Sequence, residues 1–278
     1  MPAIDYEAEY NNRARVPEHP EIFARWARAA EAFRASHSDA ELGLAYGKSP
    51  REKIDLFWPM AGRSAPFALF IHGGYWRSLE PSAFSHLAAG ANAHGIALAL
   101  AGYDLCPAVT MEAIIEEMRA AAAFLYRRFR RPLVASGHSA GGHLSACLVA
   151  TDWKKYGEDL PAVLVPAGLS ISGLFELSPL MHTSMNQDLR IDAENVARIS
   201  PQTWSVAPGR TFDAWVGGDE SSEFLRESRD IVAEWGRKGV ATRYVEVARA
   251  NHFTVLDPLA DPQSTMTKRL VELVGASA

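Results

Sequence analysis

Apolar positions along the chain follow two alternating patterns. Short, mostly apolar runs of strand length occur at Lys53 to Trp58, Phe67 to Ile71, Ile96 to Ala101, Pro132 to Ser136, Ala162 to Ile171, Phe212 to Val216 and Thr242 to Val247. Between them lie longer stretches in which apolar residues recur three and four positions apart. Residues 19–36 carry Ile22, Phe23, Trp26, Ala30 and Phe33 in this way. Met111 to Phe129 carries Ile114, Ile115, Met118, Ala122, Leu125 and Phe129 on one face. Ala140 to Ala150, Ser222 to Arg237 and Pro262 to Val274 read as further helices, whereas residues 174–208, with Pro179, Pro201 and scattered polar positions, read as irregular. Strands that alternate with helices predict an α/β fold with a mostly parallel central sheet and helices on both faces. No Gly/Ser/Pro tract or repeat divides the 278 residues, so one domain, 1–278, is expected. Ligands of such folds sit at the carboxyl ends of the strands. The N-terminal arm and helix (residues 1–50) and the 174–208 insertion are therefore expected to form a small cap over that face.

Composition narrows the function classes. A net charge of −5 gives no electrostatic footprint for nucleic acid, and the basic run Arg127 to Arg131 is read as the solvated end of a helix, where cations complement the dipole. No apolar segment is long enough to span a membrane and the acidic N-terminus resembles no targeting peptide, so a cytoplasmic location is expected. The two cysteines, Cys106 and Cys147, lie in apolar surroundings and read as buried residues.

The chemistry is concentrated in three places. Gly137-His138-Ser139-Ala140-Gly141 joins a strand to a helix, the setting of a nucleophile elbow, in which a sharp turn exposes the serine and demands glycine on either side. A serine nucleophile needs a base and an acid, which in this type of fold follow in the order Ser, Asp/Glu, His. Asp219, at the tip of Val216-Gly217-Gly218-Asp219, is the expected acid, with Glu220 and Glu223 as rivals further past the turn; His252, after the last strand, is the expected base. Upstream, His72-Gly73-Gly74-Tyr75-Trp76 follows a strand and supplies flexible backbone for an oxyanion hole. Its expected donors are the amides of Gly74 and Tyr75, with Gly73 as the alternative, completed by Ala140. His72 and Gly73 are expected to support the loop, and Tyr75 and Trp76 to line the substrate pocket. His138 and His143 lie five apart with no third ligand at a recognisable spacing, so a metal site is not expected, and no phosphate-binding Gly-x-x-x-x-Gly-Lys motif is present.

These motifs, together with Gly102 to Pro107, Gly218 to Phe224 and Tyr10-Asn11-Asn12-Arg13, resemble the α/β-hydrolase branch that contains kynurenine formamidase (arylformamidase) and related small esterases. The likeness covers nearly the whole chain. In place of the third glycine of lipase-type loops stands the aromatic pair Tyr75-Trp76, as in formamidases. The resemblance implies hydrolysis of a small acyl group on an aryl amide or ester, through an acyl-enzyme and without metal or organic cofactor. The partner would be a small-molecule ester or amide. A general small-ester carboxylesterase, or a non-catalytic binding protein on the same fold, are the competing readings; the second would be expected to lack a member of the Ser-acid-His set.

Overall fold

The computed structural model describes residues 4–277. Eight strands form one sheet: β1 (Ala40–Ala45), β2 (Lys53–Phe57), β3 (Phe67–Ile71), β4 (Ala97–Ala101), β5 (Leu133–His138), β6 (Ala167–Ile171), β7 (Thr211–Gly217) and β8 (Ala241–Val247). Their order is β1-β2-β4-β3-β5-β6-β7-β8. The first two pairings are antiparallel and the rest parallel. The central strands β3, β4, β5 and β6 are buried throughout, as expected of strands covered on both faces. One helical layer includes Met111–Phe129, Ala140–Ala150 and Ser222–Arg237, and packs Phe212, Leu144 and Trp235 into a common core. The opposite layer includes His19–Ser36 and Thr265–Gly275, which bury Trp26, Met266 and Leu270 with Phe70, Leu98 and Leu169. Among the described residues no helix is long and apolar enough to cross a membrane.

The helices His19–Ser36, Met111–Phe129, Ala140–Ala150 and Ser222–Arg237 match the apolar periodicity. Strand β1 was not expected. Its sequence, Ala40-Glu41-Leu42-Gly43-Leu44-Ala45, lies on the sheet edge, where only one side needs apolar cover, and its pairing is interrupted between Glu41 and Leu44. Strand β6 begins later than the apolar run that contains it, because Pro166 has no N–H to give to a ladder.

The sheet register brings the functional segments together. Ile71 on β3 is paired with Gly137 on β5, His138 with Ile171 on β6, Ile171 with Trp215 on β7, and Gly217 with Val247 on β8. The His72–Trp76 loop, the Ser139 turn, the Gly217–Glu220 turn and the His252 loop thus leave one edge of the sheet as neighbours.

Candidate active site

Ser139 sits between β5 and the helix Ala140–Ala150 with φ 56° and ψ −118°, a left-handed conformation that a side chain ordinarily avoids. The surrounding backbone holds it there: its N–H donates to Ile171 O (2.8 Å) and its carbonyl accepts from His143 N (3.1 Å). The flanking glycines follow from space. A Cβ on Gly137 would lie 2.1 Å from Gly141 O, and one on Gly141 would lie 1.9 Å from Ile71 O. The helix start therefore rides directly on the ends of β5 and β3, and no other residue type fits.

His252 is buried, with its ring among His138, Phe224 and Phe253. Its Nδ1 lies 2.7 Å from Glu220 Oε2. The expected pairing with Asp219 is therefore corrected. Asp219 is at the tip of the turn and exposed, with its amide donating to Ala250 O (3.0 Å). Glu220 closes the turn, its N–H donating to Gly217 O (3.2 Å), and its side chain folds back beneath it. There Oε1 accepts from Gly217 N (2.6 Å) and Ser172 Oγ (2.5 Å), which leaves Oε2 for the imidazole. The longer glutamate side chain, turned inward, reaches where the aspartate at the tip cannot. Glu223, the other rival, accepts from Tyr10 Oη and Arg226 instead. Ser172 had not been anticipated. A Ser-Gly pair at the end of β6 is the signal that marks it, and its own φ of 52° turns it toward Glu220.

The loop after β3 turns through three left-handed residues, Gly74 (φ 107°), Tyr75 (φ 51°) and Trp76 (φ 55°). For the two non-glycine residues this costs about 1–2 kcal/mol each, which neighbouring contacts must offset. Gly73 passes close to the serine turn, where a Cβ would lie 2.8 Å from His138 O. The amides of Gly74, Tyr75 and Ala140 donate to no acceptor among the described residues. His72 braces the loop: its ring stacks on Tyr103 (4.3 Å between centroids), and Tyr103 Oη donates to His72 O (2.8 Å).

A cavity of about 260 Å³ opens over Ser139 and His252. Its walls come from Asn11, Asn12 and Arg13 of the N-terminal arm, from Ser184, Met185 and Asp188 of the 174–208 insertion, and from Tyr75. Phe23, Trp26 and Phe253 add an aromatic side that the motifs did not reveal. Trp76 does not line it. The left-handed turn sends its indole inward, fully buried, edge-on to His143 (5.0 Å, 90°), and its expected place in the pocket is corrected accordingly.

The two histidines flanking Ser139 in sequence are structural ties. His138 Nε2 lies 2.7 Å from His252 O, and His143 Nε2 lies 2.7 Å from Ile199 O in the insertion, so each nitrogen carries the proton and donates. Burial pushes the imidazole of His72 down to about 3, of His138 to about 3, of His143 to about 4 and of His86 to about 4; the neighbouring His252 lowers His138 further. In the unfolded chain these groups titrate near 6.5, so they stabilise the fold above that pH and the contribution is lost on acidification. Burial raises Glu117 and Glu227 to about 7, which acts in the opposite sense between about pH 4.5 and 7. The four histidines outnumber the two glutamates, so the unfolding free energy should fall from pH 6 to pH 5. Urea unfolding at the two pH values checks this; equal or greater stability at pH 5 would contradict it.

The fold is that of the α/β-hydrolases. A crystal structure of an esterase from the bacterial hormone-sensitive lipase family superposes with a TM-score of 0.71 at 17% identity, covering 94% of this chain and 98% of that one. The chain belongs to the α/β-hydrolase superfamily, with residues 54–170 matching the BD-FAE family model. A candidate thioesterase from Silicibacter sp. tm1040 is 34% identical, with a TM-score of 0.87, covering 97% of this chain and 100% of that one. The kynurenine formamidase of Danio rerio is 27% identical over 85% of this chain and 82% of its own length, and that of Drosophila melanogaster 24% identical over 82% and 79%.

Proposed function

We propose that this esterase-type hydrolase removes a small acyl group, such as formyl, from an aryl amide or ester through an acyl-enzyme on Ser139. The observation that carries the reading is that His252, held by buried Glu220 at 2.7 Å, lines the same cavity as the strained Ser139. In this reading Glu220 accepts a hydrogen bond from the His252 Nδ1–H, which keeps the proton on Nδ1 and leaves the lone pair on Nε2 to take the proton of Ser139 Oγ. Oγ adds to the carbonyl carbon and the carbonyl electron pair moves to oxygen, where the amides of Gly74, Tyr75 and Ala140 stabilise it. His252 then gives its proton to the leaving amine or alcohol. Water, deprotonated by the same nitrogen, releases the acid and regenerates Ser139. Gly73 serves the loop by its close approach to His138 and is not needed as a donor.

The cavity supports the choice of substrate. Phe23, Trp26 and Phe253 suit an aryl group. Of the charged groups in the lining, Arg77 and Asp188 neutralise each other at 2.7 Å, while Arg13 has only the Ser78 hydroxyl at 3.4 Å and the face of Phe23. No carboxylate among the described residues pairs with Arg13. A substrate with a carboxylate on its aryl side would supply the missing partner, and N-formylkynurenine has that form. The curated formamidase relatives point the same way. The test compares kcat/KM for N-formylkynurenine with that for p-nitrophenyl acetate and butyrate. A preference of tenfold or more for the formamide is expected. A tenfold preference for the plain esters would make the protein a small-ester carboxylesterase, and no turnover of any substrate together with no labelling by a fluorophosphonate would make it a non-catalytic binder.

A further inference from the structure

We propose that the N-terminal arm is a strap that positions the oxyanion loop, with Tyr75 and Asn12 as positioning residues; this rests on the serine-hydrolase reading above. Tyr75 contributes a backbone amide to the proposed oxyanion hole, and its side chain reaches into the arm. Its hydroxyl donates to the carbonyl of Tyr10 and accepts from Asn12 Nδ2 at 3.2 Å. Tyr10 and Asn12 are both buried.

The arm is itself tied to the helix Ser222–Arg237. Tyr10 Oη donates to Glu227 Oε1 (2.9 Å) and Glu223 Oε2 (3.2 Å). Glu9 Oε2 accepts from Ser222 Oγ (2.7 Å) and from the Glu223 amide (3.0 Å), closing the first turn of that helix from outside it. Glu227 in turn accepts from the amides of Phe175 (2.7 Å) and Glu176 (3.0 Å), so the anchor is continuous with the segment after β6. The helix begins two residues after Glu220. One rigid element therefore holds both the acid behind His252 and, through Tyr10, the loop that faces the oxyanion. Left-handed Tyr75 and Trp76 persist only where the surroundings over-determine them, and the Tyr75 hydroxyl is a fixing point on the Tyr75 side. Trp76 is fixed on the other side by burial against His143 and by its carbonyl, which accepts from Cys106 N at 2.8 Å.

A strap of this kind acts on the transition state, because the carbonyl oxygen needs the amides most when it carries charge. Tyr75→Phe, which keeps the ring and removes the hydroxyl, should lower kcat for p-nitrophenyl acetate about tenfold with KM within twofold. KM holds because acylation and deacylation both pass through an oxyanion and slow together. An aryl trifluoromethyl ketone, whose carbonyl carbon takes Ser139 Oγ to give the same oxyanion, should bind about tenfold more weakly to the variant. Asn12→Ala should lose several-fold by the same criteria, and the Tyr75→Phe/Asn12→Ala pair no more than Tyr75→Phe alone, since both act through one hydroxyl. A kcat within twofold of wild type, a loss in KM alone, or additive losses in the double variant would overturn the strap. A wild type that neither turns over ester nor binds the ketone would overturn the serine-hydrolase reading and the strap with it.

Discussion

Replacing Glu220 by glutamine should lower kcat by about 10³–10⁴, while Asp219→Asn should leave it within about threefold. The reason lies in how the Glu220 carboxylate divides its oxygens. Oε1 is held by two donors, the Gly217 amide and the Ser172 hydroxyl, and Oε2 by His252 Nδ1. In a glutamine at this position the two donors keep the carbonyl oxygen on their side, so the amide NH2 faces Nδ1. An N–H opposite Nδ1 requires the tautomer with its proton on Nε2, and that tautomer cannot accept a proton from Ser139. The geometry is preserved and the chemistry is lost. Asp219 is exposed, and its carboxylate accepts no hydrogen bond from the site among the described residues, so an asparagine there should be silent. Steady-state kinetics of the two variants, with circular dichroism to confirm folding, decide the point. A severe loss in Asp219→Asn with an active Glu220→Gln would restore the assignment to Asp219.

Ser139→Ala should remove at least about 10⁴ of kcat and all labelling by a fluorophosphonate, with the fold intact. Alanine occupies the same left-handed turn with the same Cβ, and the amide-to-Ile171 bond does not involve the hydroxyl. His252→Ala should fall to a similar floor, and the double variant should be no worse than either single one, because in the proposed mechanism the groups act in one proton transfer. Losses that multiply would show two independent contributions and contradict the shared step. A Ser139→Ala protein that still forms a covalent adduct would move the nucleophile elsewhere.

Much of this arrangement was legible in the chain because the relevant physics is local. Strand, glycine-flanked serine and helix are consecutive in sequence, and the clash distances at Gly137 and Gly141 explain why the pattern is so tightly constrained. The order of serine, acid and histidine follows from the strand order. Choosing between Asp219 and Glu220 was not local. It depends on which side of a tight turn faces inward, and the donors that decide it, Gly217 N and Ser172 Oγ, come from two different strands. Trp76 was misplaced for a related reason: two successive left-handed residues reverse which side chain faces the cavity. The aromatic side formed by Phe23, Trp26 and Phe253 joins segments far apart in sequence, and helical periodicity marks Phe23 and Trp26 only as buried-face residues.

The floor of the cavity and its walls are drawn from different parts of the chain. Ser139, Glu220 and His252 stand on strand ends locked by sheet register, whereas Asn11 to Arg13, Ser184, Met185 and Asp188 belong to the arm and the insertion. Changes in selectivity and changes in reactivity can therefore accumulate separately over time. Arg13 or Met185 can drift to admit a new leaving group without disturbing a bond at Ser139. Asn12 and Tyr75 are the exceptions, since both line the pocket and Asn12 bonds the Tyr75 hydroxyl. At those two positions, a chain acquiring a new substrate would also alter the rate at which it turns it over.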